Sequence, residues 1–252
     1  MKGLLKRLIP HALWEGARHA FSYTRRFLLD FAACRYLNPL RWVSVFSLVR
    51  LVRPRYSMVA ARRLRLLYDL ARRIEREDVP GAIVECGVYN GGSAAIMAYA
   101  TEAGARPVWL FDSFEGLPEP TENDGEYERE HYYEGWCLGA KDMVHEIFER
   151  MHIAESRLQI VEGWFDKTFP TAVPKVGDIA LLHIDADWYE SVKICLEHLY
   201  PKVVPGGYIV LDDYGAFPGC RKALHEYLDT HGIKAELLTN DGAGRHFRKP
   251  LL

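Results

Sequence analysis

Four aspartates in the last third of this 252-residue chain are placed to do chemistry together. Asp185 and Asp187 stand in LLHIDADWYES, and Asp212 and Asp213 in GGYIVLDDYG. Each pair closes an apolar, β-prone run, Ile179–Ile184 and Tyr208–Leu211, so each should emerge at the C-terminal tip of a strand. Acids on neighbouring strand tips can converge where open α/β sheets place their ligands. Carboxylates gathered at one point repel each other unless a cation offsets them, which points to a hard divalent metal with oxygen ligands. Helix capping is the plainer alternative for Asp187, which lies just before the helical stretch Trp188–Leu199. Capping does not account for the Asp212–Asp213 doublet.

A second constellation lies upstream. The run ECGVYNGGS, Glu85 to Ser93, joins a candidate strand to a candidate helix. Glycines at such a turn let the backbone approach a ligand, and the helix N-terminus offers free N–H groups. The spacing is Gly87-x-x-x-Gly91-Gly92 rather than GxGxxG, and an acid precedes it. A carboxylate there does not suit a pyrophosphate, but it suits a ligand with a cationic end, such as the amino group and sulfonium of S-adenosylmethionine. Asp112, 25 residues after Gly87, closes the next candidate strand, where an acid can accept hydrogen bonds from ribose hydroxyls.

The elements that must position these residues follow from periodicity. Ala60–Glu77 reads as an amphipathic helix, with Leu64, Leu67, Tyr68, Ala71 and Ile74 on one face and Arg62, Arg63, Arg72 and Arg73 on the other. Strands are expected at Ala82–Cys86, Val108–Asp112, Leu158–Glu162, Ile179–Ile184, Tyr208–Leu211, Ala235–Thr239 and near His246–Arg248. Helices are expected at Ser93–Ala103, Ala140–Met151, Tyr189–Tyr200 and Arg221–His231. Buried strands alternating with helices mean a mainly parallel, doubly wound α/β sheet with helices on both faces. Pro118–Gly139 has no apolar period and has the length of a lid or binding loop.

Composition bounds the function class. The chain is 49% hydrophobic and 26% charged, enough to bury a proper core. Its net charge of −2 is divided unevenly, +9 over residues 1–55 and −11 over the rest, so the body offers nucleic acid no general attraction. The basic, aromatic arm 1–55, with candidate short helices at Leu4–Leu8 and Phe27–Leu37, precedes a domain expected over 56–252. The arm could rest on an anionic membrane surface or pack over the domain or a sister subunit. Five widely spaced cysteines without a CxxC pair argue against a disulfide framework or zinc site and suit a reducing cytosol. No run approaches the roughly 20 apolar residues of a membrane span; the longest, Leu40–Val52, is broken by Arg41 and Arg50.

Long blocks of the sequence resemble one family. VPGAIVECGVYNGGS, WLFDSFEGLPEP, EGWFDKTFPTAVP, HIDADWYESVKICLEHLYPKVVPGGYIVLDDYGAFPGCRKAL and the closing RHFRKP occur in the order seen in macrocin O-methyltransferases (the TylF/MycF family), covering about residues 55–250. The resemblance implies a Rossmann-like, seven-stranded class I fold and Mg2+-dependent methyl transfer from S-adenosylmethionine to a sugar hydroxyl. It implies cofactor contacts at Glu85, Gly87, Tyr89, Gly91, Ser93, Asp112, Ser113, Phe114, Gly163, Trp164 and Asp185. The metal set would be Asp185, Asp212 and Asp213, with Asp187 as general base. Relatives also imply a homo-oligomer; the enzyme is expected in the cytoplasm, with packing of the arm over the domain or a sister subunit favoured over peripheral membrane contact. Ala186 stands where the family usually has glycine, Val192 where it usually has threonine, and the arm has no clear counterpart.

The same site chemistry could serve a catechol-like diol, and the fold alone could serve a binding protein without catalysis. The retained acids argue against the latter. Smaller candidates carry two readings each. His183 is expected to be structural within its strand, and Cys86 a small buried residue. His131, Tyr132 and Tyr133 either touch substrate or lie solvated in the lid. Ser57 and Met58 either line the cofactor pocket or pack, and Trp188 and Tyr189 either shape the acceptor pocket or fill core.

Overall fold

The computed structural model describes residues 39–101, 105–239 and 241–251. The candidate helices at Leu4–Leu8 and Phe27–Leu37 lie outside them. The chain divides after Ser47, and of the first unit only the start of helix α1 (Pro39–Val52) is described. The second unit, Leu48–Leu252, carries the sheet. No helix among the described residues is long and apolar enough to cross a membrane.

Helix α2 (Ala61–Arg76) forms as its spacing demands, burying Leu64, Leu67, Leu70, Ala71 and Ile74. Each such aliphatic side chain contributes about 1.5–3 kcal/mol when fully buried. Then come β1 (Ala82–Cys86), α3 (Gly92–Ala100), β2 (Val108–Asp112), a short α4 (Glu126–His131) inside the lid segment, and α5 (Lys141–Arg150). They are followed by β3 (Leu158–Glu162), α6 (Phe165–Val176), β4 (Ile179–Ile184), α7 (Tyr189–Leu199), β5 (Val203–Leu211), α8 (Pro218–Thr230), β6 (Leu238–Thr239) and β7 (Arg245–Arg248).

The seven strands run in the order β3-β2-β1-β4-β5-β7-β6. The first five are parallel, and β7 is antiparallel to both β5 and β6. Strand order therefore reverses between β1 and β4, and the crevice beyond their C-terminal ends is where such sheets bind ligands. One face of the sheet packs on α2, α3 and α5 through Leu67, Ile96, Met97 and Phe148. The other packs on α6, α7 and α8 through Phe169, Leu196 and Leu224. Both central strands are buried along their whole length, as strands covered on two faces must be.

Three differences from the sequence reading have physical causes. Helix α6 was hidden by Pro170 and Pro174, yet Phe169, Ala172, Val173 and Val176 recur at helical spacing and their burial outweighs the lost N–H groups. Strand β5 starts at Val203 rather than Tyr208, because Pro205-Gly206-Gly207 bulges within the strand instead of ending it. Gly206 at φ 82° donates its N–H to Lys249 O, and Lys249 N–H returns to Gly207 O. The strand expected over Ala235–Thr239 shrinks to its last two residues, which pair only with β7 at the sheet edge.

Candidate active site

Register brings the motifs to one level. Glu85 pairs with His183 and Cys86 with Ile184, while Ile184 pairs with Leu211. The ladder continues one residue beyond the strands: Gly87 N–H donates to Phe111 O, Asp185 N–H to Cys86 O, Asp212 N–H to Ile184 O and Gly163 N–H to Asp112 O. The residues just past four strand tips are thus fixed to the sheet rather than left to loops. Gly87 is obligatory, because at φ +79° a Cβ would lie 1.8 Å from the carbonyl oxygen of Asp185.

A cleft of about 710 Å³ opens there. Gly87, Tyr89, Ser93, Asp112, Ser113 and Trp164 line one part of it, and Asp185, Asp187, Asp212 and Asp213 another. Ser57 and Met58 also line it. Asp112 shapes this wall. Its Oδ2 accepts the N–H groups of Val88 (2.6 Å) and Tyr89 (3.0 Å), and its Oδ1 accepts that of Phe114 (2.7 Å).

Four residues expected to touch the cofactor do not line the cleft. Gly91 caps α3 in the left-handed region, and a Cβ there would press on Val144. Phe114 and Gly163, both at positive φ, serve through their N–H groups, as bonds to Asp112. Glu85 is fully buried, and its cationic partner is His183, whose Nδ1 lies 2.7 Å from Glu85 Oε1. Position along the strand explains this, because Glu85 and its in-register neighbour His183 each lie one residue inside the strand end and are fully buried there. Burial would lower the His183 pKa, but hydrogen bonding to Asp212 and Glu85 outweighs it and raises the imidazole to about 9. His183 is structural in this sense: it holds a buried acid on one side, with Nε2 3.7 Å from Asp212 Oδ1 on the other.

Asp185, Asp212 and Asp213 offer carboxylate oxygens that all lie within 4.8 Å of one another. Burial first, and then the charges of Asp212 and Asp213, push Asp185 well above the ordinary carboxyl range. Asp213 is raised to about 7, again chiefly by burial. Asp187 is raised well above its ordinary value by burial and by Asp213 and Asp212. It occupies the left-handed region at φ 51°, between Ala186 O and Trp188 N, which hydrogen bond at 2.6 Å, and its own N–H faces Asp213 Oδ2 at 3.3 Å. Such backbone strain concentrates at functional sites.

Sequence reasoning missed several site residues. Arg63 was assigned to the solvated face of its helix; it lines the cleft and pairs with Asp212. Cys137, in the lid, also lines the cleft, its thiol raised to about 12 by burial and by the Asp187, Asp213 and Asp112 charges. The lid itself is latched. Asp124, only 6% exposed, accepts Tyr189 N–H at 2.7 Å and Thr121 N–H at 2.8 Å, and Trp188 Nε1 donates to Pro118 O at 2.8 Å. Trp188 is buried, edge-on to lid residue Trp136, so it both fills core and anchors the lid. Tyr189 is buried as well, while His131, Tyr132 and Tyr133 do not line the cleft. Nothing local in the sequence marks Asp124, whose partner lies 65 residues away. Asp124→Ala should cost about 1 kcal/mol through the lost helix-end cap, and limited proteolysis within 118–139 should accelerate. An unchanged cleavage rate would show the latch to be idle.

The comparisons with known proteins bear on this geometry. The family model described as macrocin-O-methyltransferase (TylF) matches residues 51–249. The chain belongs to the macrocin-O-methyltransferase family. It is an O-methyltransferase. The 8-demethyl-8-(2,3-dimethoxy-alpha-L-rhamnosyl)-tetracenomycin-C 4'-O-methyltransferase of Streptomyces olivaceus is 36% identical over 199 residues, 77% of this chain and 75% of that one. The mycinamicin III 3''-O-methyltransferase of Micromonospora griseorubida is 34% identical, over 77% of this chain and 78% of its own. Among solved structures, that of the O-methyltransferase NovP matches with a TM-score of 0.71 at 32% identity, over 78% of this chain and 83% of that chain.

Proposed function

We propose that this methyltransferase transfers a methyl group from S-adenosylmethionine to a hydroxyl of a sugar or glycoside, with Mg2+ as the required cation. One observation carries the reading: the three carboxylates within 4.8 Å of one another open into the same cleft as the glycine turn and Asp112. The sugar acceptor is supported by the relatives, whose names place their methyl groups on glycosylated natural products.

The residues fit both groups. Three hard oxygen donors gathered at one point suit Mg2+. For the methyl donor, Gly87 lets the backbone come close, and Tyr89, Ser93, Asp112 and Ser113 would hold its methionine and ribose parts, with Trp164 beside the adenine. Asp112 still has lone pairs to accept from ribose hydroxyls beyond its three backbone bonds. Bound Mg2+ would lower the pKa of an acceptor hydroxyl. Asp187, beside the triad in the cleft, then takes the hydroxyl proton as general base. The lid, closed over Trp188, excludes water and aligns the acceptor for in-line attack on the sulfonium methyl. The test is formation of S-adenosylhomocysteine from S-adenosylmethionine with a panel of glycosides, with and without chelator. Turnover of catechols but no glycoside would move the acceptor to the diol class.

The pKa shifts add a pH dependence. A carboxyl whose folded pKa lies above its unfolded value, near 3.9, makes the ionised fold costly. Asp213 therefore withdraws stability as pH rises from about 4 through about 7, and Asp185 acts in the same direction. A divalent cation offsets that cost. The rise in Tm on adding MgCl2 should be small near pH 5.5 and grow through pH 7. A Mg2+ effect of constant size across that range would argue that these carboxyls do not hold the ion.

A further inference from the structure

Arg63 reaches from the first turn of α2 into the acidic end of the cleft. Its Nη1 donates to the main-chain oxygen of Asp212 at 2.9 Å and pairs with Asp212 Oδ2, while its Nε faces Asp241 Oδ2 at 3.1 Å. The three side chains are 17%, 4% and 9% exposed. Asp241 is itself fixed, since its Oδ1 accepts the N–H groups of Ala243 and Gly244, each at 3.1 Å. Gly244 makes the fit possible, because a Cβ there would lie 3.0 Å from Arg63 Cδ. The guanidinium is thus shared between one member of the proposed metal set and one acid outside it, on the turn between β6 and β7.

We propose that Arg63 is a positioning residue that competes with the divalent cation for Asp212 and so sets how tightly the cation binds, with Asp241 as its alternative partner. The inference rests on the metal reading given above. Its logic is Coulombic. A fixed positive charge bonded to one ligand carboxylate opposes a dication at the same carboxylate, and this repulsion is large where water is excluded. An arginine stays charged at any working pH, so the opposition cannot be titrated away. The fork geometry lets one guanidinium hold both acids, and the balance between them decides how much of Asp212 remains for the metal.

Two substitutions should act in opposite directions, which general misfolding would not do. Calorimetric titration of MgCl2 into the full-length protein should show Arg63→Gln binding about tenfold tighter than wild type. Asp241→Asn, which keeps Oδ1 for the turn but releases the guanidinium onto Asp212, should bind severalfold more weakly. Arg63→Lys retains the charge without the fork and should bind Mg2+ more weakly than Arg63→Gln. In thermal unfolding without added metal, Arg63→Gln should melt lower than wild type and recover more on adding MgCl2. Equal Mg2+ affinities in wild type and Arg63→Gln, or weaker binding by Arg63→Gln, would overturn the inference and leave the metal reading standing. Absence of Mg2+ binding in both proteins would overturn the two together.

Discussion

Asp187→Asn is expected to lower methyl transfer by about 10³-fold, the scale of a lost general base, while S-adenosylhomocysteine affinity stays within about twofold of wild type. The substitution is unusually clean. Asparagine is close in shape and tolerates the left-handed backbone that Asp187 adopts at φ 51°. The N–H that faces Asp213 Oδ2 belongs to the main chain and survives. The ability to take a proton is removed, together with one negative charge. Single-turnover kinetics and calorimetry on the same preparation separate the two quantities. Turnover close to wild type would take Asp187 out of the mechanism.

The second large effect is expected at Asp112. Its carboxylate holds three N–H groups, from Val88, Tyr89 and Phe114, and so fixes the turn after β1 to the turn after β2. Hydrogen bonds to a charged acceptor contribute about 1.5–3 kcal/mol each, and removing the carboxylate releases all three while also deleting the acid placed for ribose. Asp112→Ala should weaken S-adenosylmethionine binding by about 100-fold or more, and Asp112→Asn, which keeps one acceptor oxygen, by less. A thermal melt of each variant separates loss of the binding wall from loss of the fold. Cofactor affinity unchanged in a folded Asp112→Ala protein would show that the wall does not need this acid.

How much of this was legible in the sequence depends on how local each signal was. The strands β1 to β4 were visible to the residue, because each is a short apolar run stopped by an acid, a glycine or a cysteine before a turn. The aspartate cluster was legible for the same reason: both acid pairs end apolar strands, and β4 and β5 pair side by side in the sheet. Glu85 shows the limit of that reasoning. Its type suggested a ligand contact, but one residue inside the strand end it is buried against His183, a partner 98 residues away. Arg63 shows the opposite failure, a charge on the polar side of an amphipathic helix that the fold directs into the site. Asp124 and Asp241 lie in turns, where no period predicts direction. Helix α6 was lost to its two prolines, whose cost is local while the burial that overcomes it is not.

The proposed chemistry requires one cation among Asp185, Asp212 and Asp213. A crystal of the full-length protein grown with S-adenosylhomocysteine and soaked in Mn2+ places that ion directly by anomalous scattering. The expected map has one peak within about 2.0–2.6 Å of a carboxylate oxygen from each of the three residues, in the cleft that also holds the nucleoside. A peak elsewhere, or none at this site with the nucleoside bound, would contradict the account.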